Sequence, residues 1–106
     1  MIKKVQVLPI LNAPATGTGW IKIRPSANVR YSLRISVANV NTSVNIRLQY
    51  SSDGTTLQRR SIGFDLTTNE TFIFDVPTSE NFFRLWFNAE AGGTDAVISS
   101  SLITQY

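Results

Sequence analysis

The sequence contains no histidine and no cysteine in its 106 residues. Without them neither a Ser-His-Asp nor a Cys-His nucleophile system can be assembled, a zinc site would have to rely on carboxylates, and no disulfide or redox thiol exists. Positive charge is modest. Ten basic against seven acidic side chains give +3, short of what a dedicated nucleic-acid binder carries. Long apolar runs are missing too. The stretch Val5–Leu11 is interrupted by Gln6 and Pro9, which makes it a poor signal peptide and far too short to cross a bilayer. A chain of this length is expected to be one domain, 1–106, burying roughly two-thirds of the area its unfolded form exposes. Its stability must come from packing and ladder hydrogen bonds.

What is present is alternation. Tyr31, Leu33, Ile35 and Val37 alternate with Ser32, Arg34, Ser36 and Ala38, and Val44, Ile46, Leu48 and Tyr50 alternate with Asn45, Arg47 and Gln49. A period of two marks half-buried strands. Asp53-Gly54 between them and the next segment supplies the positive φ of a hairpin turn. Further strands are expected over Ile2–Leu8, Trp20–Arg24, Leu57–Leu66, Thr71–Val76, Phe82–Ala89 and Ala96–Gln105, with Ala15–Gly19 a flexible lead and Ala91–Thr94 a second turn. No segment shows a helical period. About eight strands at this spacing predict an all-β fold, an antiparallel β-sandwich of jelly-roll type. Its core is expected from Leu33, Ile35, Ile46, Leu48, Phe72, Phe74, Phe83, Leu85, Phe87 and Ile98.

Little acid-base chemistry is available to such a chain. A carboxylate pair for glycoside hydrolysis would have to come from Asp53, Asp65, Glu70, Asp75, Glu80, Glu90 and Asp95, most of which stand at turns or strand ends, where acids ordinarily serve as turn formers. The loops at Asp53-Gly54 and Gly93-Thr94-Asp95 lack the clustered acids that calcium requires. No Gly-rich loop opens a helix to cradle phosphate. The expectation is a non-enzyme without cofactor or metal.

The sharpest local feature is Phe82-Phe83-Arg84-Leu85-Trp86-Phe87. Odd positions form one apolar face, yet Phe82 and Trp86 make the other face aromatic as well, so something should cover both. Trp20, Lys22 and Arg24 share a second strand face. Aromatic residues interleaved with basic ones also occur in single-strand nucleic-acid binders, but the low charge argues against that partner. Trp, Phe and Arg are enriched where proteins meet, and Trp86, Phe82, Arg84, Trp20 and Arg24 are therefore the candidate partner-binding residues. Residues 1–14 are apolar and punctuated by proline. They suit either an N-terminal arm that joins a neighbour's sheet or a plain first strand.

The order of turns carries a resemblance. Thr16-Gly17-Thr18-Gly19-Trp20, then Tyr50-Ser51-Ser52-Asp53-Gly54-Thr55-Thr56, Phe83-Arg84-Leu85, and Gly92-Gly93-Thr94-Asp95-Ala96 resemble small β-sandwich virion proteins of tailed bacteriophages. The tryptophan that often follows the Asp-Gly turn there is replaced by Leu57 here. The resemblance implies a structural protein of the virion, a capsid decoration or cement protein, seated among other subunits as a homo-oligomer such as a trimer. The competing expectation is a carbohydrate-binding or receptor-recognition module in which Trp20, Tyr31, Tyr50 or Trp86 stacks on sugar rings.

Overall fold

The alternating segments form ten strands in a computed structural model that describes residues 3–12, 16–23, 28–60, 63–76 and 80–106. They are β1 (Lys3–Val7), β2 (Thr16–Gly17), β3 (Ile21–Lys22), β4 (Arg30–Ala38), β5 (Ser43–Ser51), β6 (Arg59–Arg60), β7 (Phe64–Leu66), β8 (Glu70–Asp75), β9 (Phe82–Ala91) and β10 (Val97–Gln105). Arg24 and the prolines at 14, 25 and 77 lie outside the described residues.

Sheet A runs β1-β10-β4-β8, and sheet B has β9 and β5 at its centre, with β2 and β3 on one side and β6 and β7 on the other. Every pairing is antiparallel. Taking β2 with β3 and β6 with β7, the chain gives eight strands that cross between two facing sheets in jelly-roll order. The all-β antiparallel sandwich expected from the alternation is the fold that forms.

Between the sheets lie Leu33, Ile35 and Ile98 from sheet A and Ile46, Leu48, Phe83, Leu85 and Phe87 from sheet B, all buried. Phe72 and Phe74 depart from this list, being only half-buried. Their strand is the rim of sheet A, covered from one side, and they gather with Phe64 at centroid separations of 5.8, 5.1 and 6.0 Å to close that flank.

Two segments differ from expectation. Of the expected flexible lead Ala15–Gly19, Thr16 and Gly17 pair with Phe87 and Trp86 as β2, and Ala15 lies outside the described residues. Of the expected strand Leu57–Leu66, Leu57 and Gln58 are not in a strand, and Arg59–Arg60 and Phe64–Leu66 form β6 and β7, which meet opposite ends of β5, residues 61–62 lying outside the described residues. At the N-terminus, β1 pairs with β10 of its own sheet from Lys3 opposite Gln105 to Val7 opposite Ser101. Leu8 and Leu11 then turn into the core, held by Leu8 N–H to Ser100 O at 3.0 Å and Leu11 N–H to Ile98 O at 2.9 Å. Pro9 and Ile10 thus face the single Ser99, a bulge at an edge, where proline's missing N–H costs no ladder bond.

Candidate functional site

The outward side chains of β9 organise the outer face of sheet B. Thr18–Trp20 spans three positions between β2 and β3 while only Leu85 and Arg84 span the matching interval of β9. That extra residue is a bulge. Thr18 bridges it twice, its N–H donating to Leu85 O at 3.1 Å and its hydroxyl accepting from Leu85 N–H at 3.2 Å. Trp20 is left to lie over Arg84.

The Arg84 guanidinium stands between two indoles, 4.3 Å from the Trp20 ring centroid and 4.6 Å from that of Trp86. Its Nε donates to Gln49 Oε1 at 2.7 Å on neighbouring β5. A flat cation stacked on aromatic faces keeps edge-on hydrogen bonding while shedding water, and that desolvation lowers its pKa from the ordinary arginine value. Trp86 reclines across Gly17, where a Cβ would sit 2.6 Å from Cε3 of the indole. Only glycine admits this approach.

Phe82, at the other end of the same face, is covered by the loop after β5. Gly54, at φ +79°, brings its backbone against the Phe82 ring. The loop is internally bonded: the Asp53 carboxylate accepts from the N–H groups of Thr56 and Thr55, each at 2.9 Å, and from the Ser51 hydroxyl at 2.8 Å. These donors hold the Asp53 carboxyl well below the usual carboxylate range. Phe82, Arg84 and Trp86 therefore remain half-exposed, each partly covered by its own chain. Three of the predicted residues, Trp20, Arg84 and Trp86, come together in one stack; Phe82 stands apart under its loop, and Arg24 is outside the described residues.

Of the aromatics expected to meet sugar, Tyr31 and Tyr50 are buried core residues. Burial raises the Tyr50 pKa above its usual value, against the opposing charge of Arg59, whose guanidinium lies 4.9 Å from the ring. Among the described residues no cluster of acidic side chains could hold a metal ion.

Sequence reasoning missed a second surface, on the outer face of sheet A. Val5 is 58 %, Val7 78 %, Ile10 61 % and Ile73 59 % exposed, although strand alternation normally sends such side chains inward. Register places Val7, Ser101, Arg34 and Ile73 in one row across all four strands. Val7, Ile10 and Arg34 wall a shallow groove floored by Ser36, Ser99 and Ser101. One signal was available. Phe72-Ile73-Phe74 is apolar on both faces, the same anomaly that singled out Phe82–Phe87.

No family model matches the chain, and no curated protein matches it. Among solved structures it is similar to a chain from Bacillus endospore appendages, which form a novel family of disulfide-linked pili; the likeness has a TM-score of 0.61 at 15 % identity and covers 98 % of this chain and 86 % of that one. At that identity the likeness concerns the fold.

Proposed function

We propose that this protein is a non-enzymatic structural subunit that works by associating with other protein chains, foremost further copies of itself. The observation that carries the reading is the set Val5, Val7, Ile10 and Ile73, each more than half exposed on one sheet face. Val5, Val7 and Ile10 line the β1 edge and Ile73 the opposite rim; side chains of this kind gain by leaving water, at about 25 cal/mol per Å² of apolar area, and exposed apolar surface on a small domain marks a contact. The Trp20–Arg84–Trp86 stack adds a rigid patch of the residue types that dominate interface energetics.

Two settings suit such a subunit. One, suggested by the turn resemblance, is a phage particle, where it would serve as a decoration or cement protein. The pilus fold neighbour suggests a filament, which in this chain would have to be held without disulfides, since there is no cysteine. A sugar-binding module would have to use the remaining faces of Trp20 and Trp86, and binding on a glycan array would support it instead.

Sedimentation of the purified chain across a concentration series tests the main reading. Concentration-dependent oligomers, reduced by Trp86→Ala or Val7→Asp in a domain that still gives a β-sheet circular-dichroism spectrum, are the expected result. A monomer at every concentration would overturn it.

A further inference from the structure

Sheet A ends in two open strands of opposite charge. The β1 rim carries Lys3 and Lys4 and the β8 rim carries Glu70 and Asp75. Among the described residues no further strand covers either rim.

The ladder bonds show which backbone groups are left over. Leu8 N–H donates to Ser100 O, and Val76 N–H donates to Tyr31 O. Antiparallel bonding alternates residue by residue. On β1, therefore, Lys4 and Gln6 point their backbone groups into the sheet and Lys3, Val5 and Val7 point theirs outward. On β8, Glu70, Phe72 and Phe74 point inward, and Thr71, Ile73 and Asp75 point outward. The outward-pointing residues on both rims are those whose side chains lie on the outer face of the sheet.

Strand direction also fits. The four strands alternate up and down across the sheet, so a second copy moved sideways without inversion presents its β1 antiparallel to the first copy's β8. Setting Lys3 opposite Asp75 then sets Val5 opposite Ile73 and Val7 opposite Thr71. The free N–H and C=O groups meet as hydrogen-bonded pairs, the exposed Val5 and Ile73 cover one another, and ammonium faces carboxylate.

We propose that β8 of one copy pairs with β1 of a second copy in this register, extending sheet A from subunit to subunit. This deepens the structural-subunit reading, on which it rests, by naming the seam. Pairing β1 with β1 would gather the lysines of both copies on one seam, and β8 with β8 their carboxylates, so charge selects the unlike pair. Such a contact is heterologous, and it builds an open filament or a closed ring according to the rotation between copies.

The absence of native cysteine gives a clean test. Directly opposed residues at a hydrogen-bonded antiparallel pair have Cα atoms about 5.5 Å apart, within disulfide reach. Full-length Val5→Cys and Ile73→Cys variants, mixed and mildly oxidised, should give a mixed disulfide dimer at least about tenfold above a Val5→Cys and Thr94→Cys control, because a held contact replaces chance collision. Carrying both changes in one chain should give a ladder of multimers. Lys3→Asp and Asp75→Lys should each reduce association and restore it when mixed. Mixed-dimer yields no higher than the control or the homodimers overturn the seam. If sedimentation still shows oligomers in that case, the subunit reading survives and its contact lies elsewhere. A chain that is monomeric throughout overturns both.

Discussion

Tyr50 and Asp53 sit three residues apart and meet opposite fates. The Tyr50 ring is fully packed, yet its hydroxyl is buried with no hydrogen-bond partner among the described residues. A buried unsatisfied polar group costs on the order of 1–3 kcal/mol, and removing it without changing shape removes that cost. Tyr50→Phe should therefore raise stability by about 1 kcal/mol in a denaturant melt. Asp53 is saturated with donors, and folding lowers its pKa. Its contribution is thus in full above the ordinary carboxylate pKa of about 4 and is lost as pH falls through the lowered value. Asp53→Ala should lower the thermal midpoint at neutral pH, and the gap between variant and wild type should narrow steadily on acidification. A gap that stays constant in acid would mean that Asp53 acts only through its shape.

Bulges set what the strands present. The extra residue in Thr18–Trp20 lifts Trp20 out of the ladder and onto Arg84, and the register shift between Asn45 and Ile46 leaves Asn88 without an opposite number, so that Glu90 turns toward the last loop. There Glu90 accepts from Asn41 Nδ2 at 2.9 Å and from Ala96 N–H. Gly17 is the least replaceable point in this construction. Gly17→Val would drive two methyl groups into the Trp86 indole, and forced repacking of this kind costs about 1–3 kcal/mol. The expected signs are a lower unfolding midpoint and a shift in tryptophan emission as the stack opens. Unchanged emission would show that Trp86 does not depend on Gly17.

The two sheets depend on each other through the central β5–β9 pair, whose inward aromatics leave no exposed surface. Truncating Phe83 to alanine should cost about 3–5 kcal/mol, as for other fully buried phenylalanines. For a domain whose whole stability is roughly 5–15 kcal/mol, that is enough to unfold a large share of molecules on mild heating. The half-exposed Ile73 should behave in the opposite way. Its replacement by a polar residue should leave the melt of the isolated chain nearly unchanged and alter only association.

The order of the long strands and most of the core were legible from alternation alone, because a residue every second position must face inward when one side of a strand is buried. The Asp53-Gly54 turn was legible because few residues tolerate its φ. The sequence also showed that Phe82–Phe87 had no ordinary solvent face. What covers that face depends on residues distant in the chain: Gly17 lies 69 positions before Trp86 and Gly54 lies 28 before Phe82, and a period of two carries no information about such encounters. The same limit hid the second surface. Phe72-Ile73-Phe74 showed two apolar faces, but Val5 is unremarkable within its own segment, and only the order β1-β10-β4-β8 places Val5 and Ile73 on opposite rims of one sheet with their backbone groups pointing outward. Local alternation determined the strands; which edges stay open was decided by how the two sheets close on each other.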